Sequence, residues 1–154
     1  MVLKNNNVSM EKFISDNGYI PIRPSGRSMR PLISPLRDVC LISRKNTVKK
    51  HDIVWYKNLQ GKDVLHRIMA VNGDDTYSLC GDNQIVFEKG IKNSDILGVM
   101  EGFYHNGKYI DCKRDKKYKI YTAIWCFMPL RKTVLFIYEN TVRKMKRKKG
   151  RHEF

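Results

Sequence analysis

Asp63-Val64-Leu65-His66-Arg67-Ile68-Met69-Ala70-Val71, then Asn72-Gly73-Asp74-Asp75, then Thr76-Tyr77-Ser78-Leu79-Cys80, is the stretch that decides the fold class. Asn-Gly followed by two aspartates is a hairpin turn, because these residues tolerate positive φ or bond their own backbone. The runs on either side carry the β-branched and aromatic residues that suit a pleated surface. Working outward, Ile53-Val54-Trp55-Tyr56 reads as another strand, and Asp38 to Ser43 as a buried one. Ile96 to Met100 is a further strand. Asn106-Gly107 turns between Phe103-Tyr104 and Lys108 to Ile110, which makes a second hairpin. Tyr19 to Ile22 is short and marked by Pro21, so it belongs at a sheet edge. Before it, Met10, Phe13, Ile14 and Asn17 keep helical spacing and Gly18 is a natural stop. This predicts a short helix over 8–17, capped by Asn7 or Ser9. The expected fold is mainly β: a coiled antiparallel domain built from hairpins, with a short N-terminal helix and a basic helical C-terminal segment.

Composition narrows the class further. The chain has 154 residues, and 42% of them are hydrophobic, enough for one domain with its own core and too many for a wholly disordered chain. Gly and Pro follow no G-x-y period. Cys40, Cys80, Cys112 and Cys126 form no Cys-x-x-Cys pair. His51, His66, His105 and His152 sit at no metal-ligand spacing, so neither a metal nor a cofactor is expected. Met1 to Asn7 holds no apolar stretch of signal-peptide or anchor type, and the chain is expected to be cytoplasmic.

Charge divides the chain. Thirty Lys and Arg against fifteen Asp and Glu give +15 overall. Residues 1–112 contribute +4 of this and residues 113–154 contribute +11. The expected organisation is a helix over 1–17, a β domain over 18–112 and a basic amphipathic tail over 113–154. Within the tail, Ile120, Ile124, Phe127, Val134 and Tyr138 keep near-helical spacing on both sides of Pro129. Two helical pieces with a break at Pro129 are expected. Lys119, Arg131 and Lys132 interrupt the apolar run too often for a clean membrane span. Seven of the nine residues from Arg143 to Arg151 are basic. An anionic membrane surface is the expected partner, bound peripherally through Tyr121, Trp125, Phe127, Tyr138 and the cluster. Alternatively, Ile120 to Tyr138 folds back on the β domain. Nucleic acid is a poor fit, since residues 1–112 carry no recognised binding motif and nearly balanced charge. Nothing in the sequence sets the oligomeric state.

Three segments could carry chemistry. Pro24-Ser25-Gly26-Arg27-Ser28-Met29-Arg30-Pro31 surrounds Ser28 with residues that hold an irregular backbone, as an exposed nucleophile needs. His66 is the side chain best suited to general-base work near neutral pH. Gly81-Asp82-Asn83 is a turn that carries an acid. One hydroxyl, one imidazole and one acid in a small β domain supply each triad role.

At these positions the sequence resembles the signal peptidase I superfamily, which includes the self-cleaving repressors. Ser28-Met29-Arg30-Pro31 is similar to its Ser-Met-x-Pro box. Lys50-His51-Asp52-Ile53-Val54 is similar to its Gly-Asp-Ile-Val strand, with His51 in place of the usual Gly. His66-Arg67-Ile68 resembles the His-Arg-Ile/Val box of the archaeal and endoplasmic-reticulum type, Gly81-Asp82-Asn83 the Gly-Asp-Asn box, and Ile96-Leu97-Gly98-Val99 the closing strand. The boxes stand in family order over residues 18–112. The resemblance implies a serine endopeptidase of the Ser/His branch that cleaves an extended precursor or leader peptide laid beside a strand edge. It implies small residues at the first and third positions before the cleaved bond. Ser28 would be nucleophile and His66 base, with Asp82 or Glu88 orienting the imidazole. Met29 is expected in wall or core, and Arg67 in an ion pair. The alternative is a catalytically silent peptide-binding module, docked to a membrane or to nucleic acid by its basic tail.

Overall fold

The computed structural model describes residues 18–44 and 47–149. The expected helix over 8–17 and the end of the basic cluster at 150–154 lie outside the described residues. In chain order the strands are β1 (Ile20–Ile22), β2 (Val39–Ser43), β3 (Ile53–Lys57), β4 (Asp63–Val71), β5 (Thr76–Cys80), β6 (Glu88–Lys92), β7 (Ile96–His105) and β8 (Lys108–Asp111). Helices α1 (Lys116–Trp125) and α2 (Met128–Lys149) follow. The strands form one antiparallel sheet in the order β1-β2-β7-β3-β4-β5-β6, and β8 pairs with β7. The chain is mainly β.

Side chains alternate across this sheet, and both faces are covered. Leu65 packs with Met29, Ile33, Cys40, Ile42 and Ile53 in one core, while Ile68 packs with Val54, Tyr56, Leu79, Ile91 and Val99 in another. This double coverage explains why Leu65 to Met69 are buried without a break, although they alternate in direction. Register shifts in β2, β3, β4 and β5 let the sheet coil between the two cores.

The hairpin at 72–75 and the strands in the 38–43 and 53–56 segments form as expected. Two features differ. Glu88-Lys89-Gly90-Ile91-Lys92 has little strand character, yet it forms β6, held at the sheet edge by pairing with β5 and by the buried Ile91. The helical break falls at Cys126-Phe127 rather than at Pro129, because Pro129 occupies the first turn of α2, where its missing N–H has no intrahelical partner.

The tail packs on the β domain rather than leaving it at residue 112. Asp115 caps α1 by accepting the Tyr118 N–H at 2.8 Å, and Tyr118 is buried in the first core, edge-on to Phe103. The opposite face of α1 and much of α2 stay open: Ile120, Ile124, Phe127, Phe136, Ile137 and Tyr138 are all exposed. Among the described residues, no single helix is long and apolar enough to cross a membrane. Lys116–Trp125 and Met128–Val142 together have that length and composition, but they bend by 85°.

Candidate functional site

The Ser28 turn is anchored by its neighbours. Met29 and Ile33 insert into the first core, and the Ile33 N–H donates to the Met29 carbonyl at 3.0 Å. The expectation that Met29 is core is met. Further along the loop, buried Asp38 accepts the Ser34 N–H at 2.8 Å, pairs with His105 at 2.8 Å and binds Arg37 at 3.2 Å. Burial would raise its pKa, but the Ser34 N–H, His105 and Arg37 together hold it below the usual carboxylate value. The Leu36 N–H donates to the Pro24 carbonyl at 2.8 Å, so the loop around Ser28 is closed on both sides, and Ser28 itself stays half-buried.

What Ser28 faces is the Gly81-Asp82-Asn83 segment. Its carbonyl accepts the Asn83 N–H at 2.7 Å. A Cβ placed on Gly81 would lie 2.5 Å from the Ser28 carbonyl oxygen and 2.9 Å from the Ser28 Cβ. Only glycine allows this approach. Arg67 pairs with Cys80, the last residue of β5, and Gly81 follows it. Ser28 therefore lies against the turn that leaves β5, at the end of the ladder whose other strand, β4, carries His66.

His66 is 8% exposed. Its Nδ1 lies 3.0 Å from the Tyr56 hydroxyl, which donates to Glu88 Oε2 at 2.6 Å. Burial lowers the His66 pKa, and the charges of Glu88 and Asp82 only partly oppose that, so the imidazole is neutral near pH 7. A groove of about 560 Å³ opens beside it, lined among others by Asn83, Val86, Glu88, Leu135 and Phe136.

Arg67, next in sequence, projects to the other side of the sheet. It is fully buried and grips Asp82 with two bonds, Nε to Oδ1 at 2.9 Å and Nη2 to Oδ2 at 2.8 Å. Its Nη1 donates to the His51 carbonyl at 3.1 Å and to the Tyr118 hydroxyl at 3.3 Å. Burial works against the charge, but Asp82 more than offsets it and raises the Arg67 pKa. The ion-pair role expected for Arg67 is present. His51 itself has φ 76°, in the left-handed region that glycine enters without steric cost, which gives a backbone reason for a glycine there.

The structure thus separates the two candidate acids. Asp82 is committed to Arg67 and to the Tyr121 hydroxyl, which donates to it at 3.0 Å. Glu88 reaches the His66 side through Tyr56. The helices then latch the Gly81-Asp82 turn from outside. Trp125 Nε1 donates to the Asp82 carbonyl at 2.8 Å, and fully buried Arg131 donates to the Gly81 carbonyl at 3.3 Å and the Trp125 carbonyl at 2.9 Å. No buried side-chain nitrogen or oxygen lacks a hydrogen-bond partner among the described residues. Sequence reading overlooked Tyr56 and Arg131. The first lies in an ordinary β-run and the second in a basic tail, and neither carries a local signal of its partner. No family model, curated protein or solved structure matches the chain.

Proposed function

We propose that this chain is a serine endopeptidase of signal-peptidase-like type, cleaving an extended precursor or leader peptide with Ser28 and His66. The observation that carries the reading is the contact between Ser28 and Gly81, closed by the Asn83 N–H, at the end of the β4–β5 ladder that also carries the buried His66. In this reading the Ser28 Oγ attacks the peptide carbonyl carbon while His66 takes its proton. The Ser28 N–H is one donor to the resulting oxyanion. Collapse breaks the C–N bond, and the imidazolium protonates the departing amine. Water, deprotonated in turn by His66, then hydrolyses the acyl-enzyme. Every atom needed comes from the chain, the peptide and water, so the mechanism calls for no cofactor.

The test is peptide cleavage together with labelling by a serine-directed covalent probe. Ser28→Ala should remove both and leave the melting temperature near that of the parent, since the hydroxyl is not part of either core. Loss of a triad member typically costs about four to six decades in kcat. Unchanged cleavage by purified Ser28→Ala would overturn the assignment.

We also propose that the C-terminal tail binds peripherally to the cytoplasmic face of an anionic membrane. The open apolar face of α1 and α2 supports this, followed as it is by the basic run from Arg143.

A further inference from the structure

We propose that Tyr56 is the positioning residue through which Glu88 acts on His66, its hydroxyl holding the imidazole as the Nδ1–H tautomer and leaving Nε2 as the proton acceptor for Ser28. The inference rests on reading His66 as the base, and it follows from counting protons along one short chain of contacts. A carboxylate has no proton to give. Glu88 Oε1 accepts the Leu59 N–H at 3.3 Å, and Oε2 accepts the Tyr56 hydroxyl at 2.6 Å. A phenol has a single proton, which that short bond uses. Burial, with the hydrogen bond and charge of Glu88, raises the Tyr56 pKa far above its usual value, so the proton stays on the oxygen. Toward Nδ1, 3.0 Å away, the phenol oxygen can therefore only accept. The hydrogen of the neutral imidazole then sits on Nδ1, and the Nε2 lone pair is bare.

The arrangement also serves the charged state. When His66 takes a proton on Nε2, its Nδ1–H becomes a stronger donor to the phenol oxygen, and the Glu88 charge lies one bond further along the same chain. Tyr56 from β3 touches His66, and Glu88 from β6 acts on it by its charge. Lys132 and Glu139 of α2 line the same groove, and Asp82 acts from the far side of the sheet while paired with Arg67. Glu88 and Tyr56 are 32 residues apart, and only the edge strand β6 brings them together.

The experiment is nitrogen-resolved NMR on the full chain with labelled histidine, read beside peptide-cleavage kinetics. In the parent, His66 should show the Nδ1–H tautomer; an Nε2–H signal would overturn the proposal without any variant. Tyr56→Phe should erase the tautomer preference and lower kcat by about ten- to a hundredfold, the scale of one lost hydrogen bond to a general base. It should also move the acid limb of kcat/KM to lower pH, because the imidazolium loses its acceptor. Glu88→Gln should cost activity in the parent and little more in the Tyr56→Phe background. Retention of the Nδ1–H tautomer and full kcat by Tyr56→Phe would refute the relay. A parent that neither cleaves peptide nor labels at Ser28 would refute the peptidase reading instead, and the tautomer measurement would still decide the hydrogen-bond chain.

Discussion

Adding one methyl group to Gly81 probes the contact that brings Ser28 to the ladder. The new Cβ of Gly81→Ala would stand 2.5 Å from the Ser28 carbonyl oxygen, where ordinary contact begins at 3.4 Å. The neighbours it meets at Ser28 are the backbone carbonyl and the Cβ, so no side-chain rotation there relieves the clash. The Ser28 turn must retreat by about 0.9 Å. That movement strains the 2.7 Å bond from the Asn83 N–H. Overpacking of this kind costs roughly 1–3 kcal/mol, and the weakened hydrogen bond adds about 1. The smaller unfolded-state entropy of alanine returns about 0.4–1 kcal/mol, which leaves a net loss of roughly 1–3.6 kcal/mol. A nucleophile displaced by about 1 Å can lose on the order of a hundredfold in rate. Gly73→Ala is the matched control, since a Cβ at Gly73 meets nothing within 4 Å. Urea unfolding midpoints measure the first effect. The rate of Ser28 labelling, taken where all three proteins are folded, measures the second. A Gly81→Ala protein with the parent's midpoint and labelling rate would show that the close approach is not what positions Ser28.

Three further outcomes are expected. Asp82→Ala leaves the fully buried Arg67 without its carboxylate, so it should cost about 3–5 kcal/mol in unfolding free energy, whereas Glu88→Gln should lower kcat with little change in stability. Equal destabilisation by the two would contradict the division of roles. Burial depresses the pKa of His66 and of His51, so the unfolded chain binds protons first as pH falls. Their contribution to stability is therefore complete above about pH 6.5 and declines as pH drops through and below that value. The melting temperature should fall between pH 7.5 and 5.5, and by less in His66→Phe. In sedimentation with vesicles, binding should require anionic lipid and weaken as salt rises, because each Lys or Arg near such a surface contributes about 1 kcal/mol that ions screen. Full-length protein left in the supernatant with anionic vesicles at low salt would remove the membrane proposal.

Much of the fold was legible because its signals are local. The Asn72-Gly73 turn, the apolar runs of β2 and β3 and the alternation within β4 need only a residue and its near neighbours to be read. β6 was not legible, since five residues with three charges and a glycine become a strand only when β5 offers its edge. The break near Pro129 was legible as an event but not as a position, because proline both ends one helix and begins the next. The same division runs through the site. The residues themselves pointed to Ser28, His66 and Asp82, the resemblance added Glu88, and the period of a strand already sends His66 and Arg67 to opposite faces. Which acid lies on which face was decided by the coiling of the sheet. It carries Asp82 to Arg67 across 15 residues, Glu88 to Tyr56 across 32 and Arg131 to Gly81 across 50. Chain order encodes propensity over a few residues. A hydrogen bond between distant side chains exists only once burial has brought them within about 3 Å and excluded the water that would otherwise satisfy them.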